Sequence, residues 1–175
     1  MVDYAVPALI VGAVAVTTWS ARKPRWPISG AFKITSEFGW RTNPVTGDYT
    51  LHRGVDIAPR PRGESAFVLS PFHGEVSEFG EDEFNGQYVK VINGHDRVLA
   101  VLTHLESHAQ SLAVGRKVSK GEVLGVVGST GRSTGVHLHV GFYSNQDELL
   151  EPTKYISTGD PRSARREAEA KEARR

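Results

Sequence analysis

The stretch that decides the fold class reads Gln87-Tyr-Val-Lys-Val-Ile-Asn-Gly-His-Asp-Arg-Val-Leu-Ala-Val-Leu102. Its two ends are rich in β-branched and aromatic residues, which favour strands. Asn93-Gly94 fits the central pair of a tight hairpin turn, because both residues tolerate a positive φ. The stretch therefore predicts an antiparallel hairpin in which Tyr88 to Ile92 pair with Val98 to Leu102.

Short runs of the same kind recur along the chain, among them Phe32-Lys-Ile-Thr35 and Val123-Leu-Gly-Val-Val127. The 18 glycines and nine prolines interrupt helices and favour turns. A chain of 175 residues fits one globular domain. We therefore predict an all-β fold, a small antiparallel β-sheet domain, with one short helical excursion at Glu106 to Leu112.

Composition divides the chain into an apolar segment at 1–26, a central domain at 27–157 and a charged tail at 158–175. Tyr4 to Ala21 contains no charged residue, and its length is at the lower edge of what crosses a bilayer. Three interpretations stay open: a membrane anchor, a cleaved secretory signal, and a hydrophobic arm that packs against partner proteins in a larger assembly. Basic residues directly after the segment would favour a cytoplasmic location for the domain that follows an anchor.

The charged tail is rich in alanine, glutamate and arginine and has no wide apolar face. We predict a frayed, solvated helix or a disordered tail. The formal net charge of the whole chain is +1, and the tail carries an excess of basic residues. Because the rest of the chain is then slightly acidic, we expect no nucleic-acid-binding surface on the central domain.

Candidate metal ligands occur at every second or fourth position in His52-Arg-Gly-Val-Asp56 and His137-Leu-His139. Side chains alternate along a strand, so the polar groups of each motif share one face. The chain has no cysteine, so any metal must bind histidine and carboxylate. His52, Asp56 and one histidine of the pair supply three ligands, the usual number at a catalytic zinc that keeps a position for water.

Gly54 lies between His52 and Asp56 and leaves room for an ion on their shared face. A fully extended strand would separate the Cα atoms of His52 and Asp56 by about 13 Å, too far for two ligands of one zinc. We therefore predict a bend near Gly54. The remaining histidine of the pair would lie close to the zinc-bound water and accept its proton. Spacing alone does not decide whether that histidine is His137 or His139.

Five motifs in order resemble successive landmarks of the M23 metallopeptidases, the family of LytM and lysostaphin. They are Ile34-Thr-Ser-Glu-Phe-Gly-Trp-Arg-Thr-Asn-Pro-Val-Thr-Gly47, His52-x-Gly-x-Asp56, Thr103-His104-Leu105, Gly121-Glu-Val-Leu-Gly-Val-Val-Gly-Ser-Thr-Gly-Arg-Ser-Thr-Gly135 and His137-Leu-His139. The resemblance extends from about Ile34 to Ile156. It is specific because all five motifs occur together.

The resemblance implies a small antiparallel β domain with a groove walled by loops, and a Zn²⁺ ion bound by His52, Asp56 and His139. It further implies that His104 and His137 are catalytic, and that the chain is an endopeptidase that hydrolyses a peptide bond in bacterial peptidoglycan. Peptidoglycan peptides would then be its partners. The expected location is the cell envelope or the extracellular space, or alternatively a phage virion.

Leu102 departs from the family pattern, which has a tyrosine two positions before the catalytic histidine. We expect the loss of an oxyanion donor there, worth roughly a hundredfold in rate, unless Tyr143 or Tyr88 replaces it. The alternative function is therefore a weakly active or non-catalytic module that binds the wall or activates other hydrolases, and a virion component is one form that such a module takes. The glycine-rich residues 128–135 lack the lysine of a phosphate-binding loop, and we interpret them as a wall of the groove.

Overall fold

The structure, a computed structural model, describes residues 23–174. Antiparallel strands dominate it: β1 Phe32–Ser36, β2 Gly39–Thr42, β3 Tyr49–His52, β4 Val55–Pro59, β5 Phe67–Leu69, β6 Gly74–Asp82, β7 Gly86–Asn93, β8 Leu99–His108, β9 Lys117–Val118, β10 Val123–Val127, β11 Leu138–Tyr143 and β12 Leu149–Leu150. Two helices follow them, α1 Pro152–Thr158 and α2 Pro161–Glu172. The predicted all-β class is confirmed.

The strands form one large sheet and one small sheet. The large sheet has the order β1-β4-β11-β8-β7-β6-β9, with β10 paired to β5 and β8 and with β12 paired to β11. Strands β2 and β3 form a separate two-stranded sheet. Strands β4, β11 and β8, which carry most of the candidate site residues, are therefore neighbours in the middle of the large sheet.

The predicted hairpin is confirmed, because Ile92 pairs with Leu99 and Val89 pairs with Leu102. Its turn is longer than the predicted two-residue type. The backbone N–H of Arg97 donates to the carbonyl of Asn93, and Arg97, with a φ of 52°, adopts the left-handed conformation in place of Gly94.

The core lies on one face of the large sheet, where alternate strand residues are fully buried. Phe142 on β11 packs edge-on against Tyr155 of α1, with 5.0 Å between the ring centroids. The largest completely buried side chains are Tyr155, Phe72, Phe142, Ile57, Leu102, Leu105, Leu124, Leu138 and Leu150. Burial of these side chains fixes which face of β4, β8 and β11 is left for polar groups.

The predicted helical excursion at 106–112 is wrong. Strand β8 continues to His108, and its last residues pair with β10, where Ser107 lies opposite Val126. Pairing with β10 supplies backbone hydrogen bonds to this segment, so sheet formation overrides the local preference for helix.

The charged tail forms a helix, α2, which agrees with the helical alternative of the prediction, but the helix is docked on the domain and is neither fully solvated nor disordered. Asp160 caps this helix by accepting from the N–H groups of Arg162 and Ser163. Ala164 and Ala168, one turn apart, are completely buried. Their small side chains let the helix backbone approach the domain closely, so a narrow stripe of alanine is enough for docking.

Helix α2 also reaches the small sheet. The indole Nε1 of Trp40 on β2 donates to the carbonyl of Glu172 at 2.7 Å, and Lys171 forms an ion pair with the buried Glu151 at 3.4 Å. The C-terminal helix therefore supports β2 and β3.

The predicted anchor, signal or assembly arm at residues 4–21 lies outside the described residues. Within 23–174, no helix has the length and apolar character needed to cross a bilayer.

Candidate metal centre

The chain changes sheets between His52 and Asp56. His52 ends β3 in the small sheet, and Val55 begins β4 in the large sheet, so Arg53 and Gly54 form the crossing. This confirms the predicted bend. As a result, Nε2 of His52 lies 3.1 Å from Oδ1 of Asp56.

His139 completes the group from the neighbouring strand, since β11 pairs with β4 and places His139 directly opposite Asp56. Nδ1 of His139 is 2.8 Å from Oδ1 of Asp56 and 3.0 Å from Nε2 of His52. Three potential ligand atoms therefore converge on one point, and His139 rather than His137 is the member of the pair that joins them.

The donor set fits zinc. Two imidazole nitrogens and one carboxylate oxygen are typical zinc ligands, and bonds of 2.0 to 2.2 Å in a tetrahedral site separate ligand atoms by roughly 3.3 Å. The three atoms are 2.8 to 3.1 Å apart. A small adjustment of the side chains is enough to admit the ion.

Gly54 makes room for one of these ligands. A Cβ atom at this position would lie 2.5 Å from Nε2 of His139 and 2.6 Å from the carbonyl oxygen of Val140. The expectation that Gly54 leaves space for an ion is therefore refined, because the imidazole of His139 fills that space.

Hydrogen bonds outside the group orient its members. Nδ1 of His52 donates to the carbonyl of Glu37 at 2.8 Å, which leaves Nε2 free of hydrogen for a metal. Arg41 contacts Oδ2 of Asp56 at 3.4 Å, the oxygen that faces away from the two histidines. Such partners fix tautomers and ring orientation and commonly change metal affinity 10- to 100-fold when they are lost.

The pKa shifts favour metal binding. Burial would raise the pKa of Asp56, but hydrogen bonds and charge interactions with His139 and His52 lower it well below its ordinary value of 3.8. Burial lowers the pKa of His139 below its ordinary value of 6.5. Near neutral pH the carboxylate is therefore ionised and this imidazole is neutral, as metal ligation requires.

His104 and His137 lie beside the three ligand residues. Their ring centroids are 4.9 Å apart, and Nε2 of His137 is 3.8 Å from Oδ1 of Asp56. Nδ1 of His104 donates to the carbonyl of Thr130 at 2.8 Å, and Nδ1 of His137 donates to the carbonyl of Gly135 at 2.7 Å. Both rings thus keep Nε2 free for chemistry at the centre.

Residues 128–135 therefore do more than wall the groove, because they hold both of these histidines. Thr130 is fixed in turn by its hydroxyl, which donates to the carbonyl of Leu105 at 2.7 Å. Gly128 joins the strands on either side, accepting from the N–H of His137 and donating to the carbonyl of His104, each at 3.1 Å. Sequence reasoning missed this role, since a backbone carbonyl leaves no signature in residue type.

Burial lowers the pKa of His104 from 6.5 to about 4, although its hydrogen bond to Thr130 opposes the shift. A neutral imidazole at neutral pH can accept a proton, which is what a general base requires.

The side chain of Leu102 does not face the groove. Leu102 is completely buried in the core. The register of β7 against β8 shifts between Val89 and Gln87, and His104 has a φ of 66°, so Leu102 and Leu105 both face the core while His104 faces the groove. A hydroxyl at position 102 would have no route to the centre.

The two tyrosines considered as replacements lie elsewhere. The hydroxyl of Tyr88 donates to Glu78 on the neighbouring strand β6 at 2.5 Å. Tyr143 packs beside Gly141, two strand positions beyond His139, and burial raises its pKa. Neither side chain lines the groove.

The groove extends from the metal centre in two directions. One direction, the basic arm, has a volume of about 680 Å³ and is lined by Lys33, Arg41, Arg60 and Arg62. The second arm passes His104 and ends near Phe84, whose ring is exposed and covered on one side by Arg132 at 4.0 Å. The centre thus lies between two surfaces of different character, as expected for a site that holds an extended ligand.

Comparison with known proteins identifies the family. The model of peptidase family M23 matches residues 50–152, more than half of the chain. The chain belongs to peptidase family M23. The matched region contains all five residues of the candidate centre, and the family predicted from the sequence motifs is confirmed.

Two curated relatives illustrate the similarity. The DD-carboxypeptidase/endopeptidase Mpg of Neisseria meningitidis serogroup B is 38% identical over 111 residues, which are 61% of this chain and 23% of that protein. The peptidoglycan DD-endopeptidase ShyC of Vibrio cholerae is 33% identical over 114 residues, which are 65% of this chain and 25% of that protein. The chain thus spans about a quarter of the length of these relatives.

A solved structure supports the same placement. A zinc-containing peptidase from Vibrio cholerae superposes with a TM-score of 0.56 and 30% sequence identity, over 69% of this chain and 35% of that chain. This M23 chain therefore shares its β fold with a protein described as containing zinc.

Proposed function

We propose that the chain is a zinc-dependent endopeptidase that hydrolyses a peptide bond in bacterial peptidoglycan. The observation that carries the proposal is the convergence of Nε2 of His52, Oδ1 of Asp56 and Nδ1 of His139, with the free Nε2 atoms of His104 and His137 beside them. Membership of family M23 supports the reaction class. The names of Mpg and ShyC support the peptide substrate, and the cell envelope is the location that such a substrate implies.

His52, Asp56 and His139 would hold the zinc, which when bound polarises the scissile carbonyl and lowers the pKa of the attacking water. His104 and His137 move the protons. Each donates from Nδ1 to a fixed carbonyl, so each begins with an Nε2 free to accept a proton, and one of the two takes the proton that the attacking water loses. An imidazole that has gained this proton can donate it to the oxyanion or to the leaving amine.

The test is hydrolysis of purified sacculi by the full chain, with mass spectrometry of the released fragments and metal analysis of the protein. We expect one zinc per chain and products that result from cleavage of a peptide bond. His139→Ala should lose zinc and activity together, whereas His104→Ala should keep zinc and lose turnover.

His95→Ala is the matched control, because His95 is exposed in the turn between β7 and β8 and should keep both properties. Release of fragments by the zinc-free chain at the rate of the loaded chain would contradict the proposal. So would full activity of His104→Ala.

A further inference from the structure

The basic arm of the groove carries positive charges that the protein itself does not neutralise. Arg41 contacts Asp56, which is the only acidic residue among those lining this arm. Lys33, Arg60 and Arg62 are exposed, and within residues 23–174 no carboxylate lies within 4.0 Å of their charged groups. In the second arm, by contrast, Arg132 is paired with Glu83 at 2.9 Å.

Strand geometry fixes the distance of these charged residues from the candidate metal centre. Strand β4 leads from Asp56 to Pro59, and Arg60 follows directly. Lys33 on β1 lies opposite Ala58, two residues beyond Asp56. At about 3.3 Å per residue, the backbone at Lys33 is roughly 7 Å along the strand from Asp56 and the backbone at Arg60 roughly 13 Å. A peptide extended along the arm would place its second to fourth residues from the cleaved bond beside these side chains.

We propose that the basic arm binds free carboxylates of an anionic peptide substrate, on one side of the bond that is cut. The inference rests on the proposed function and adds a preference within it. Guanidinium groups form two parallel hydrogen bonds with a carboxylate, and lysine contributes a point charge. The volume of about 680 Å³ falls in the range of about 300 to 1,000 Å³ that is typical of ligand sites.

The test compares two probes that differ only in charge. One is a peptidoglycan stem peptide with free carboxylates, and the other is the same peptide with those carboxylates converted to carboxamides. We expect the zinc-loaded full chain to cleave the acid form with the lower KM and with similar kcat. Because the cations are exposed, Lys33→Gln, Arg60→Gln and Arg62→Gln should each raise the KM for the acid form about two- to fivefold. The KM for the amide form should stay constant.

Lys117→Gln is the matched control, since Lys117 is an exposed lysine on β9, at the opposite edge of the large sheet. Its KM values should equal those of the unchanged chain. Added salt should reduce the preference for the acid form, because exposed charges are screened.

A binding measurement separates failure of this inference from failure of the proposed function. Calorimetry with the zinc-loaded His104→Ala chain reports the affinity for each peptide without turnover. Equal KM values, or equal affinities, for acid and amide forms would overturn the inference, even if both peptides are hydrolysed. Tighter binding of the acid form with no hydrolysis by the unchanged chain would support the carboxylate site and contradict the peptidase. Equal affinity, or no binding, combined with no hydrolysis would overturn both.

Discussion

Gly54→Ala should weaken zinc binding although position 54 contributes no ligand. The added Cβ would lie 2.5 Å from both Cε1 and Nε2 of His139, and 2.6 Å from the carbonyl oxygen of Val140. The carbonyl belongs to β11, which is paired on both sides and cannot move freely. The backbone at position 54 must therefore shift away from this carbonyl, and the imidazole of His139 must give way as well.

The magnitude follows from the size of that movement. An ordinary contact of about 3.5 Å requires a displacement of roughly 1 Å, and a ligand moved by this much no longer meets the other two at bonding distance. We expect zinc affinity to fall about 10- to 100-fold, which corresponds to roughly 1.4 to 2.7 kcal/mol. The strain in a packed region should also lower the free energy of unfolding of the zinc-free chain by about 1 to 3 kcal/mol.

The assay is competition for zinc against a chromophoric chelator, with thermal unfolding measured with and without zinc. Gly94→Ala is the control, because a Cβ at Gly94 would meet no atom within 4 Å. Gly94→Ala should bind zinc like the unchanged chain. If Gly54→Ala also binds zinc with unchanged affinity, the assignment of His139 as a ligand packed on Gly54 is wrong.

Three further predictions concern the supports of the site and the fold. Gly86→Ala introduces a Cβ that collides with Thr130, so it should displace the Thr130 carbonyl that holds His104. We expect kcat to fall at least tenfold with zinc still bound. Steady-state kinetics with metal analysis checks this, and an unchanged kcat would contradict it. Ala168→Glu places a carboxylate at a completely buried position and should lower the free energy of unfolding, measured by chemical denaturation, by more than about 2 kcal/mol. Its control, Ala170→Glu on the exposed face of α2, should lower it by less than about 0.5 kcal/mol. Equal decreases would mean that α2 is not docked. In the zinc-free chain, the folded state resists protonation of His104, whose pKa is lowered to about 4, so stability should fall as pH decreases from 6.5 to 4. His104→Gln should remove up to about 3 kcal/mol of this loss of stability. The measurement is the free energy of unfolding against pH for the unchanged chain and for His104→Gln. Parallel profiles would contradict the inference that His104 is buried as a neutral imidazole.

Side-chain alternation made much of the centre predictable. His52 and Asp56 had to share a face, and the distance along an extended chain required a bend at Gly54. The structure supplies this bend by sending β3 and β4 into different sheets. The choice between His137 and His139 was beyond local reasoning, because it depends on which residue of β11 lies opposite Asp56.

Other features could not be read from residue types. The expectation about Leu102 rested on its place two residues before His104 in the family pattern. A register shift together with the positive φ of His104 puts these two side chains on different faces. The docking of α2 depends on the close approach of two alanines, which is a weak signal in a charged sequence. In both cases the deciding interaction is non-local.

The centre has two halves with separate supports, and this separation has a functional consequence. The metal half depends on Gly54 and on the carbonyl of Glu37, whereas the proton-transfer half depends on Thr130 and Gly135. Since the two sets of contacts come from different loops, a change in one can leave the other in place. A substitution beside Thr130 or Gly135 should therefore remove turnover without removing zinc from His52, Asp56 and His139, so bound metal alone would not demonstrate an active peptidase. Zinc content and hydrolysis must be measured on the same preparation to decide between an enzyme and a non-catalytic module.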